Sequence, residues 1–175
     1  MRTLFILLML SACVWAQTAP EPTLEETTKW LQENLPVKAV YTSTGMETPM
    51  HARVTEAQFV GCRCQLTTNL TIGPPTFPIV SEYRYSFAAA SLQANRIAVQ
   101  EWTKFKPTGY YLKIYAVPNE MPIKTEDLRN GRVYKVSQGN EFSILIGSKE
   151  MAERFQKAFL RLITLCKSEN KKEPF

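Results

Sequence analysis

The residues of this chain able to do chemistry are four cysteines, a single histidine and a band of aromatics. Cys62 and Cys64 stand two apart in "QFVGCRCQLTTNLTI", where Val60, Cys62, Cys64, Leu66, Leu70 and Ile72 alternate onto one face of an expected strand. Two thiols so placed point along parallel vectors, which is poor geometry for a bond between them. Cys166 falls on the apolar stripe of an expected C-terminal helix. A disulfide from the strand to that helix is therefore expected, with Cys62 or Cys64 as the strand partner. It would close a loop of about one hundred residues, worth about 4 to 5 kcal/mol on chain-entropy grounds. The cysteine left over is expected to be an inert buried thiol, the alternative being exchange with the neighbouring disulfide.

Cys62, Cys64, Cys166 and His51 hold three sulfurs and one nitrogen, a ligand set zinc would accept. The C-x-C spacing falls short of the usual zinc pattern and no second histidine exists, so no metal and no cofactor is expected. His51, in "ETPMHAR", reads as a turn residue. G-x-S-x-G, H-E-x-x-H, P-loop and G-x-G-x-x-G motifs are absent from the sequence, so an enzyme is not the favoured reading. Glu82 and Glu101 can face each other across strands, but ion pairing with Arg84 or Lys104 is the expected role of such glutamates. Asn69-Leu70-Thr71 is a glycosylation sequon that matters only in a eukaryotic secretory pathway.

Tyr83, Tyr85, Trp102, Phe105, Tyr110, Tyr111 and Tyr115 fall on neighbouring expected strands. Filling the core is the leading role for them, since alternation turns about half of them inward. The other role is to line a ligand groove, for which Tyr83, Tyr85, Trp102, Tyr111 and Tyr115 are the candidates.

The elements that must position these residues begin behind an export signal. Arg2, the apolar run Leu4 to Leu10 and the small residues Ser11 and Ala12 form a secretory leader, too short to span a bilayer. "VWA" before Gln17 suits cleavage after Ala16 and free release, whereas "LSAC" suits lipidation at Cys13 and a membrane anchor. Residues 1–16 are accordingly expected to be a signal peptide, 17–22 an extended leader, 23–167 one domain and 168–175 a flexible tail. A secreted or periplasmic location is expected, with a membrane-anchored lipoprotein as the alternative. The net charge of +5 becomes +4 when Arg2 is lost. With no run of like charges and no nucleic-acid signature, this basic balance reads as a solvated surface and excludes nucleic acid as a partner.

Thr23-Leu24-Glu25-Glu26 has the form of a capping box, and Leu24, Leu31 and Leu35 continue at helical spacing until Pro36, which is expected to stop a helix over 24–35. "KAVYTST", the cysteine-bearing run, "YRYSFAA", "RIAVQEWTKF", "YYLKIYAV", "RVYKVS" and "FSILIG" then read as strands, separated by turn signals such as Asn130-Gly131. The fold class is α+β: an antiparallel seven- or eight-stranded barrel or bent sandwich. A last helix carries Met151, Phe155, Ala158, Phe159, Leu162, Ile163 and Cys166 on one stripe, capped by Ser148 and lined outside by Glu150–Arg154 and Glu153–Lys157 pairs. Such a stripe needs a large apolar partner, so the helix is expected to plug the mouth of the barrel.

"KWLQENL", Phe59-Val60-Gly61-Cys62, the run Leu92 to Val99 and the final-helix residues Glu150, Ala152, Arg154, Ala158, Phe159, Leu165 and Cys166 together resemble a family of small exported bacterial proteins. That family is similar to a pleckstrin-homology-like barrel with a C-terminal plug helix. The resemblance favours Cys62 as the partner of Cys166 and implies no activity. The basic cluster needed for phosphoinositides is not recognisable. The reading that follows is a non-catalytic exported binding or envelope-associated interaction module, whose partner is a protein. The runner-up is a carrier of a small apolar ligand in the barrel interior, and a thiol-redox protein ranks third. A membrane is a partner only if Cys13 is lipidated.

Overall fold

A computed structural model describes residues 21–43, 48–104, 106–118 and 122–170. The expected signal peptide, Cys13 within it, Phe105 and residues 171–175 lie outside them.

Helix α1 (Leu24–Lys38) starts where the capping box requires: the Glu26 amide donates to Thr23 Oγ1 at 3.2 Å and the Thr23 amide donates to Glu26 Oε2 at 2.8 Å. Pro36 does not stop it. The helix runs on through the proline to Lys38, and the Ala39 amide closes the end on the Leu35 carbonyl. Leu31 and Leu35, fully buried, hold this last turn against the core, so tertiary packing offsets the hydrogen bond that proline cannot make.

Among the described residues nine antiparallel strands follow: β1 (Val40–Thr42), β2 (Met50–Val60), β3 (Arg63–Ile72), β4 (Ile79–Ala88), β5 (Ala98–Trp102), β6 (Gly109–Tyr115), β7 (Ile123–Arg129), β8 (Arg132–Gly139) and β9 (Glu141–Ile146). They divide into a six-stranded sheet ordered β1-β2-β3-β4-β7-β8 and a three-stranded sheet ordered β5-β6-β9. The architecture is α+β and sandwich-like. A single closed barrel is not formed among the described residues, because the chain leaves the large sheet after β4 through two short 3₁₀ turns, starts the small sheet with β5 and β6, and then returns to pair β7 with β4.

Two strands escape the sequence reading. "QFVGCRCQLTTNLTI" is not one strand: the chain reverses at Gly61-Cys62, with Val60 opposite Arg63. Gly61 takes φ +56°, as a two-residue hairpin with glycine in its first turn position demands, and Val60 is left 77% exposed. The alternation of Cys62 with Cys64 is therefore broken by the turn. His51 lies within β2, not in a turn, with its Nδ1 2.8 Å from Thr42 Oγ1. Strand β7, "IKTEDLR", is too polar to announce itself, yet it buries Ile123 and Leu128. Its hairpin with β8 turns at Asn130-Gly131, both at positive φ, as the sequence signal predicts.

Helix α2 (Lys149–Asn170) reaches three residues past the expected domain limit of 167. Its apolar stripe is buried as expected, with Phe155, Phe159 and Leu162 fully inaccessible, and Trp30 of α1 packs 5.3 Å from the Phe155 ring. On its outer side Glu153 pairs with Lys149, and the Arg154 guanidinium lies over the Trp30 ring at 5.5 Å. Among the described residues no helix is long and apolar enough to cross a membrane.

Candidate functional site

Alternation along the small sheet creates the site. Leu112, Ile114, Ile144 and Ile146 turn to one side and join the main core beneath α2. Tyr111 and Leu145 turn to the other side, where they meet Tyr41 and the far halves of β2 and β3 in a second, smaller apolar cluster. The small sheet thus carries apolar residues on both its faces, and a cleft of about 250 Å³ opens in the corner between it and the large sheet.

Met50, Ala52, Leu70, Tyr83 and Tyr85 of the large sheet form the cleft floor, and Trp102, Tyr111 and Leu145 form its wall. The rings are fixed by one another: Trp102 lies 5.2 Å from Tyr111 and 5.8 Å from Tyr41, and Tyr83 stacks on Tyr85 at 6.4 Å. Tyr41 donates from its hydroxyl to the Pro107 carbonyl at 2.9 Å, which anchors the loop before β6. Gly109 has no room for a side chain, since a Cβ would stand 2.9 Å from the Tyr41 ring. Tyr83, Tyr85, Trp102 and Tyr111 are each half-buried.

Four of the five candidate aromatics therefore converge. Tyr115 does not: it lies at the end of β6 beneath the Arg96 guanidinium, 4.1 Å from its ring centre. Met50 and Ala52 join the site without having been singled out, although the alternation Met50-Ala52-Val54 was a legible strand signal that the histidine and proline nearby obscured.

Among the described residues the polar side chains lining the cleft are Arg53, Thr68, Asn69 and Ser143 beside the tyrosines, with no carboxylate, imidazole or thiol. Burial pushes the Tyr85 and Tyr111 hydroxyls above the ordinary tyrosine range, Tyr83 and Tyr41 adding to the effect, while a hydrogen bond with Thr68 partly offsets it at Tyr85. Both stay neutral donors at physiological pH. Among the described residues no group of three histidine, cysteine or acidic side chains is placed to hold a metal ion.

Cys62 and Cys166 lie at disulfide distance, with sulfurs 2.12 Å and Cα atoms 5.6 Å apart. The bond ties the β2–β3 turn to the end of α2. Cys64 stays free and buried two residues further on, within β3, and burial pushes its thiol up to about 12. Arg84, expected to pair with a strand glutamate such as Glu82 or Glu101, instead meets Glu126 of β7 at 3.2 Å, and Lys124 completes the cluster at 2.6 Å. A wider groove of about 710 Å³ runs between the two helices over Trp30 and Ala158, where Arg161 pairs with Glu21 and donates to the Pro22 carbonyl at 2.9 Å. Residues 21 and 22 of the expected leader are thereby fastened to α2. No protein family, curated protein or solved structure matches this chain.

Proposed function

We propose that this protein is an exported, non-catalytic binding module with a pleckstrin-homology-like core, and that the corner cleft receives an apolar group of its partner. The observation that carries this reading is the convergence of four half-buried aromatic rings on one cleft. Aromatic side chains offer large contact area at small cost in lost rotamer freedom, which is why they dominate binding hot spots. A carrier needs a roomier chamber. Small-molecule sites run from about 300 Å³ upward, whereas this cleft holds about 250 Å³ and the space beneath α2 is occupied by Phe155, Phe159 and Leu162. A redox role is opposed by Cys64, whose thiol is inaccessible and held protonated.

The test uses indole and p-cresol, one-ring mimics of a partner side chain, titrated against isotope-labelled protein. Methyl resonances of Met50, Leu70 and Leu145 are expected to shift with millimolar affinity while those of Leu162 and Ile163 stay still. Ser143→Trp, which fills the cleft mouth, is expected to abolish the shifts. Shifts that persist in that variant, or that arise in the main core, would remove the cleft from consideration.

A further inference from the structure

Strand β8 ends the large sheet. It pairs with β7 on one side, and no further strand follows it among the described residues. The opposite edge, β1, is only three residues long, and its Val40 carbonyl already accepts the Gly147 amide at 2.8 Å. The open edge is thus concentrated on β8, an eight-residue strand exposed from Arg132 to Gln138.

Edge strands of natural proteins are normally short, bulged or charged, because free backbone groups recruit other chains. β8 is protected at one end only. The register shift opposite Asp127/Leu128 leaves Tyr134 unmatched, but Lys135 to Gly139 keep an unbroken ladder against β7. Val133, Tyr134 and Val136 are 48%, 62% and 52% exposed, an apolar content that solvation alone does not favour. The charges on the strand have a single sign: Arg132 and Lys135 lie on β8, and Arg129 of β7 sits over the Tyr134 ring at 3.4 Å. β8 contains no acidic residue, so the β8 strand of a second copy would offer nothing to answer these cations.

From the open edge, the exposed apolar residues and the one-signed charge, we infer that β8 docks an extended segment of a partner protein in which acidic and apolar residues alternate. The segment adds a further strand to the sheet. Backbone hydrogen bonds supply affinity, while Arg132 and Lys135 select carboxylates. This inference is independent of the cleft, which lies on other strands.

The experiment titrates the labelled full chain with a short capped peptide of alternating Glu and Val, N-methylated along one edge so that it cannot stack on itself, and with its Lys–Val counterpart. Amides 132–139 are expected to shift and gain exchange protection with the Glu peptide, which binds at least about tenfold more tightly than the Lys peptide. Arg132→Glu/Lys135→Glu, both positions being exposed, is expected to reverse that preference with the rest of the spectrum unchanged. Should that pair fail to fold, Lys135→Glu alone is expected to erase the preference. Equal binding of the two peptides, or none at β8, overturns the inference. So does protection of β8 in a concentration-dependent dimer without peptide, which would identify a second copy as the occupant.

Discussion

Severing the link between Cys62 and Cys166 is the perturbation whose size follows most directly from the structure. The two residues are 104 apart in sequence, and the chain-entropy relation for a loop of that length gives about 16 cal/mol/K, or about 4.7 kcal/mol near room temperature. Few single features of a domain this size contribute as much, since total stability is typically about 5 to 15 kcal/mol. With a urea m-value of about 2 kcal/mol per M, the unfolding midpoint of Cys62→Ala/Cys166→Ala is expected to fall by about 2 M. The double substitution also empties buried volume at Cys166. Reduced wild type provides the control, because it keeps both sulfurs and loses only the crosslink. The assay is urea denaturation of oxidised wild type, reduced wild type and the double variant, followed by circular dichroism. The reasoning fails if the reduced protein unfolds within about 0.5 M of the oxidised one, or if Cys64→Ala produces the same drop as the double variant.

Phe159→Ala is expected to cost about 3 to 5 kcal/mol in the same denaturation assay, since the ring is fully buried beneath α2 and its loss leaves a cavity. Cys64 is expected to resist iodoacetamide in the native protein and to react once unfolded. Its raised thiol implies stability that is present below pH 9 and lost as pH climbs toward 12, a slope that Cys64→Ala should flatten. Glu126 has the opposite sign. The hydrogen bond and charge of Lys124, then those of Arg84, hold its carboxyl below the ordinary value of 4.5, so its contribution is present above that pH and disappears as pH falls through the lowered folded value. Stability measured across the acid limb should therefore decline less steeply in Glu126→Gln.

Local signals were enough for the parts of the molecule whose physics is local. The capping box at Thr23, the Asn130-Gly131 turn and the apolar stripe of α2 each require only neighbours in sequence, and each stands where the sequence places it. The strand-to-helix disulfide was legible because only a buried helix face can bring Cys166 back to the cysteine-bearing segment, although its partner's place in a turn was not. Four of the cleft's rings were likewise nameable from strand alternation.

What the sequence by itself determined is a set of elements with apolar faces and an antiparallel habit. The tertiary structure decided how those faces are shared. Pro36 sits inside a helix because the burial of Leu31 and Leu35 in the turns before it offsets its cost. β7 is a strand because β4 offers it hydrogen-bond partners and Arg84 answers Glu126, not because of its own polar composition. Above all, alternation along β6 and β9 is the same whether one face or both are buried. Only the crossover that stands the small sheet against the large one separates Leu112 and Ile114, which fill the core, from Tyr111 and Leu145, which wall a cleft. Side-chain periodicity is a property of a single strand, while the surface it meets is set by strand order, and strand order depends on contacts between residues far apart in the chain.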